Sequence, residues 1–168
     1  YHVIYDNVDF WIFSENYAIN SKPAIAIENC PIYSDSALTV PYTGKSVLYF
    51  GTSIAVQPKD EKPADSNGIE IYFYDKNSSG KITAYADEKN ISTLIDDIEV
   101  MKIVDRLKVT QRAYPRNELF LKAEKFHPSK KVAAALKAQQ TEYITNNYED
   151  ALKALPKSKN RTNTIISS

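Results

Sequence analysis

The spacing of apolar residues changes near residue 96. Before that point they alternate with polar ones in short runs between turn residues, which predicts strands. After it they recur three and four positions apart, which predicts helices. Val3 and Tyr5 alternate with His2 and Ile4, and Asp6-Asn7 suits a two-residue corner before a dense aromatic run. Strands are therefore predicted over 2–5 and 8–13, with Ser14-Glu15-Asn16 as a short turn. Asn20-Ser21-Lys22-Pro23 reads as a linker. Residues 24–29 alternate as a strand with Ile25 and Ile27 on one face, and Cys30-Pro31 breaks the ladder, because proline has no N–H to donate. A polar loop spans 34–46, and 47–56 predicts one strand with a bulge or sharp bend at Gly51. A charged loop spans 57–68. Residues 69–75 predict a strand with Ile69, Ile71 and Phe73 on one face and Tyr72 and Tyr74 on the other. A turn over 76–80 returns the chain along 81–86. Short strands at this turn spacing predict a small barrel.

Asp96 with Glu99 three residues later has the spacing of a capping box, so a helix is predicted over 96–112 with Ile98, Met101, Val104 (or Asp105) and Leu107 at helical spacing. Pro115 suits the first turn of a second helix, with Leu119, Ala123 and Phe126 on its buried stripe, ended by His127-Pro128. Ser129 is the expected cap of a third helix burying Val132, Leu136 and Tyr143. Asn146 and Glu149 repeat the capping spacing, which predicts a separate short helix over 147–155 closed by Pro156. Residues 157–168 lack periodicity and read as a mobile tail.

Charge sharpens the boundary. The net charge is zero, yet residues 1–97 hold 7 Lys/Arg against 14 Asp/Glu and residues 98–168 hold 14 against 7. The two halves can attract each other, or the helices can simply wear solvated lysines. No Lys/Arg run exceeds two residues, so nucleic acid is not an expected partner. Cys30 is the only cysteine, which excludes an intramolecular disulfide and a cysteine-rich metal site. No apolar run approaches a membrane span. The absence of an initiating Met and a start in what reads as mid-strand imply a processed or trimmed piece of a longer protein.

Residues 71–91 and 3–17 share one grammar: strand, turn, strand ending in an aromatic, then a polar turn and an apolar residue. Ala26-Ile27-Glu28-Asn29-Cys30-Pro31-Ile32-Tyr33 leads into a long loop, Leu48-Tyr49-Phe50-Gly51-Thr52 follows, and Gly80-Lys81-Ile82-Thr83-Ala84-Tyr85 closes. This pattern resembles the bacterial SH3-like (SH3b) family over about residues 24–95, with 1–19 as the closing part of a preceding copy. It departs where the family places Gly-Trp, since Ala84-Tyr85 stands there.

The fold expected is therefore α+β: small SH3-like β-barrels followed by a helical segment over 96–156. The resemblance implies an exported, envelope-located, non-catalytic module that binds peptide or peptidoglycan. Its groove would lie between loops 34–46 and 57–68, with Tyr33, Asp35, Tyr42, Tyr49, Tyr72, Tyr74 and Tyr85 as candidate ligand residues. Rings offer contact area at little rotamer cost, although each can equally be barrel packing with a wet tip. Alternatives are a scaffold whose segment 96–156 docks a protein partner, or an accessory part of a cell-wall hydrolase. No catalytic constellation is visible. Cys30 ends a strand beside a proline and lacks an activating helix N-terminus, and His2 and His127 are far apart, so neither a nucleophile nor a metal site is expected. No glycine-rich phosphate loop occurs and no cofactor is expected.

Overall fold

The computed structural model describes residues 2–5, 8–11, 18, 20–58, 67–74 and 80–154, and no statement concerns the side chains at 2–5, 9–11 or 149–154. Strands β1 (His2–Tyr5) and β2 (Val8–Trp11) pair antiparallel with Tyr5 opposite Val8, so a two-residue connection joins them, as the Asp6-Asn7 pair predicts. The turn itself, the rest of the strand expected over 8–13, most of loop 57–68 and the tail 157–168 lie outside the described residues.

The centre is a five-stranded antiparallel sheet built from β3 (Lys22–Ala26), β6 (Ser53–Val56), β7 (Gly68–Tyr74), β8 (Lys81–Asp87) and β9 (Ile91–Ser92), in the order β8-β7-β6-β3-β9. Between β8 and β9 runs a 3₁₀ turn, Glu88–Asn90, capped by the Asp87 carboxylate, which accepts from Lys89 N at 3.1 Å. The sheet curls into a half-barrel rather than the closed barrel expected from sequence, and β8 and β9 are its two edges. The fold is mixed α+β, a curled sheet with three helices.

Alternation fixes which face is buried. In β7 Ile69, Ile71 and Phe73 point inward, opposite Ala86, Ala84 and Ile82 of β8. Ile54 and Val56 of β6 and Ala24 and Ala26 of β3 complete the wall. At Ile69–Ala86, Ile71–Ala84 and Ile54–Ala24 a large residue faces a small one, which suits close packing on the inner side of a curled sheet. Wholly buried Ile71 contributes about 1.5–3 kcal/mol by leaving water. Across the hollow lies a ribbon, β4 (Cys30–Pro31) paired with β5 (Val47–Leu48), which adds buried Cys30 and Leu48, while Ile32 just beyond β4 is buried with them. Cys30-Pro31 therefore belongs to a ladder instead of ending one. Ile32 N donating to Ser46 O (3.0 Å) and Tyr42 N donating to Ile32 O (3.0 Å) extend the ribbon past the proline, so its missing N–H is tolerated. The strand expected over 24–29 instead covers Lys22–Ala26, and Pro23 sits near its start opposite Ala55 rather than in a linker.

The strand expected over 47–56 divides at Gly51. Its φ of +82° is open to glycine at little cost, and its N–H donates to Ala26 O at 2.7 Å. A Cβ there would lie 2.6 Å from Cε of Met101, so the bend is also where helix meets sheet.

Helices α1 (Ile95–Val109) and α3 (Lys130–Ala154) pack on the outside of the sheet beside β3, and α2 (Ala113–Ala123) packs on α1. Ile25 points away from the barrel hollow and is buried among Val100, Met101, Val104 and Val132. This leaves β3 buried on both faces, as Ala24, Ile25 and Ala26 all show. Of the alternatives at 104–105, Val104 is the buried one. Ile103, Leu107 and Ala123 form a second helical cluster with Leu119 and Phe126. Lys131 and Glu28 pair at 2.5 Å across the sheet–helix junction, joining the basic half to the acidic one. At half exposure such a pair contributes less than about 1 kcal/mol.

Three helix expectations change. Leu94 precedes α1 without a side-chain cap bond, and no capping box forms. Asp96 instead accepts from His127 N at 2.8 Å, and Glu99 pairs with Lys102. Ser129 stands before α3 with its carbonyl accepting from Ala133 N, but its hydroxyl is buried and unpartnered. Finally, α3 runs unbroken through Asn146, and Asn147 Nδ2 donates back to Tyr143 O at 2.8 Å along the helix instead of starting a new one. No Gly or Pro interrupts 130–154, so propagation wins over the local capping signal. No described helix is long and apolar enough to cross a membrane.

Candidate functional site

The outer face of β6, β7 and β8, which the helices leave uncovered, carries the closest grouping of candidate residues. Strand alternation puts Glu70, Tyr72 and Tyr74 outward on β7, opposite Tyr85, Thr83 and Lys81 on β8. Ala55 of β6 lies beside Tyr72. Tyr72, Tyr74, Lys81, Ser53, Ala55 and Ala18 surround a cavity of about 260 Å³. Tyr74 is 65% exposed, and the Lys81 ammonium lies 5.0 Å from the Tyr72 ring centre, a cation–π contact that favours this placement of the ring. Ile54 and Phe73 complete the lining, and every lining residue but Ala18 stands on a strand of the sheet.

One step along the same face, the Tyr85 hydroxyl donates to Glu70 Oε2 at 3.2 Å. Burial, together with the adjacent Glu70 charge and this bond, raises the Tyr85 phenol above its usual value. Tyr85 also exchanges backbone bonds with Tyr33 (2.9 and 2.8 Å), which ties the ribbon to the edge strand β8. Tyr33 and Tyr85 are thus joined, but through main chain.

The remaining candidates lie elsewhere. Asp35 is occupied within its own loop. Its carboxylate accepts from Val40 N at 2.7 Å, from Thr39 N at 3.1 and 3.2 Å and from Thr39 Oγ1 at 2.8 Å. Those bonds, the Val40 N–H first, hold its pKa below the usual carboxylate value. Tyr42 packs against the barrel core, and Tyr49 is 63% exposed at the turn before Gly51. At the end of loop 57–68 that leads into β7, loop 34–46 touches it directly. Gly68 N donates to Ser36 O at 2.8 Å, and a Cβ on Gly68 would meet Leu38 Cδ2 at 2.6 Å. The two loops are in contact there, and residues 59–66, on which the expected groove depends, lie outside the described residues.

Two side chains missed in the sequence hold the helices in place. Asp97 is wholly buried, accepting from Ser92 Oγ and from Ser129 N, each at 2.6 Å, so one carboxylate links β9, α1 and the start of α3. Near two helix N-termini its charge is well placed. Arg116 is buried between the three helices. The sequence signal for both was only a charged residue out of step with its solvated neighbours.

Cys30 is fully buried, and desolvation, with Asp87 and Glu28 adding to it, raises its thiol to about 11. It stays protonated and shielded near neutral pH, the condition of an inert thiol. Among the described residues no group of three or more His, Cys, Asp or Glu could hold a metal. Comparison with family models, curated proteins and solved structures returns no match for this chain.

Proposed function

We propose that this chain is a non-catalytic recognition module of the bacterial cell envelope, holding peptide or peptidoglycan on the tyrosine-bearing outer face of its curled sheet. The observation that carries this reading is the gathering of Tyr72, Tyr74 and Lys81 around one cavity on paired strands. Tyrosines offer apolar faces to a sugar or peptide and hydroxyls to orient it, and the lysine suits a stem carboxylate. The sheet is read as an SH3-like module, supported by three features: the order β8-β7-β6-β3-β9, the 3₁₀ turn before the last strand, and the short β4–β5 ribbon with its long loop after the first. The site is moved from the loop groove that the resemblance implies to the face beside it.

Co-sedimentation with purified peptidoglycan tests the proposal. The parent chain is expected to pellet at moderate salt. Tyr74→Ala, at an exposed position where folding is not at stake, is expected to weaken binding about tenfold, as loss of an aromatic anchor does. Tyr49→Ala serves as the distant control and is expected to bind like the parent. Equal pelleting of parent and Tyr74→Ala refutes the site.

A further inference from the structure

The helical part holds a second cavity, of about 560 Å³, between the last turn of α1, the first of α2 and the middle of α3. Its walls are polar, with Thr110, Gln111, Gln139, Tyr143 and Asn146 contributing hydroxyls and carboxamides. Arg116 enters from α2 and is 7% exposed. Its Nη1 donates to the carbonyls of Leu107 and Thr110, and Nη2 to that of Gln139 at 3.1 Å. The Tyr143 ring lies 4.6 Å from the guanidinium carbon.

A guanidinium offers five N–H donors, and these bonds use three. Nε is buried with no partner. Nε and Nη2 share the edge of the fork that grips a carboxylate side-on. Among the described residues no carboxylate lies within ion-pair distance of Arg116. The cleft's own acid, Glu142, is turned to Gln139 Nε2 at 3.4 Å. The carbonyls ending α1 offset part of the cost of a desolvated cation, but they leave a positive charge and an open donor.

We propose that this cleft binds an acidic peptide, with Arg116 gripping a carboxylate and the carboxamides of Gln111 and Asn146 meeting peptide amides. Nε itself is closed off, so a carboxylate completes the fork only as the Arg116 side chain turns toward the cleft that it lines. This site is separate from the tyrosine face and stands or falls independently of it.

The test is an NMR titration of the ¹⁵N-labelled full chain, following the Arg116 Nε–Hε resonance. The probe is acetyl-Ala-Ala-Glu-amide, with acetyl-Ala-Ala-Gln-amide as its neutral twin and sodium phosphate as a third arm. The acidic peptide is expected to move the resonance saturably and to bind about tenfold more tightly than the neutral one. Gln111→Ala and Asn146→Ala, both exposed positions, weaken the acidic peptide, and Glu142→Gln, which removes the competing acid, tightens it. No saturable movement, equal binding of the two peptides, or a response to phosphate alone overturns the proposal.

Discussion

Gly51 does two things that a side chain cannot. It takes a positive φ at the end of the ribbon, and it leaves space for Met101 to seat against the sheet. The methionine tip can move aside, so backbone strain decides the cost, and Gly51→Ala is expected to lose about 1–2 kcal/mol in urea unfolding. Asp97 is the stronger case. Asp97→Ala strands the Ser129 N–H and the Ser92 hydroxyl in the interior, and the expected loss is about 2–4 kcal/mol, with Asp97→Asn recovering part. Cys30 supplies a pH signature. Its thiol is raised from 9.0 to about 11, so between those values the folded chain holds a proton that the unfolded chain gives up. That contribution to stability is complete below pH 9 and is lost as pH rises toward about 11, with Tyr85 acting in the same direction. Equilibrium unfolding across this range should show the decline. Thiol reagents should label Cys30 only on unfolding.

At the scale of elements, alternation made β7 and β8 legible, down to the separation of Ile71 and Tyr72 onto opposite faces. The ribbon was not legible, because β4 and β5 are two residues each and depend on Ile32 and Leu48 finding the barrel hollow. The capping spacings at Asp96 and Asn146 misled for a related reason. Asp96 finds its donor at His127, thirty-one positions away, and only tertiary packing decides between such partners. Loop 34–46 shows the reverse, a long loop in which a local acid, Asp35, gathers the N–H groups of Thr39 and Val40. Asp35→Ala is expected to speed hydrogen exchange at Thr39 and Val40. In the parent the depressed Asp35 pKa keeps that order until the pH falls below the ordinary carboxylate range, since a lowered acid stabilises above its unfolded value and loses this as it protonates.

At the scale of the whole molecule, the reversal of charge near residue 97 marks a change of element type, while the apolar contacts cross it. Ile25 of the sheet shares a cluster with Val100, Met101, Val104 and Val132. A chain cut after residue 95 therefore uncovers a buried isoleucine and the Gly51 bend, and is expected to lose amide dispersion and cooperative melting. The tyrosines were legible as candidates, but their grouping was not. Strand pairing brings Tyr72 and Tyr74 to one cavity, leaves Tyr42 packed against the core and Tyr49 exposed before Gly51, and spends Asp35 on its own loop. The most direct measurement is an amide NMR titration of the full chain with a soluble peptidoglycan fragment. The account expects saturable shifts centred on Ser53, Ala55, Tyr72, Tyr74 and Lys81. Shifts centred on loop 34–46, or none at any residue of the sheet, would contradict it.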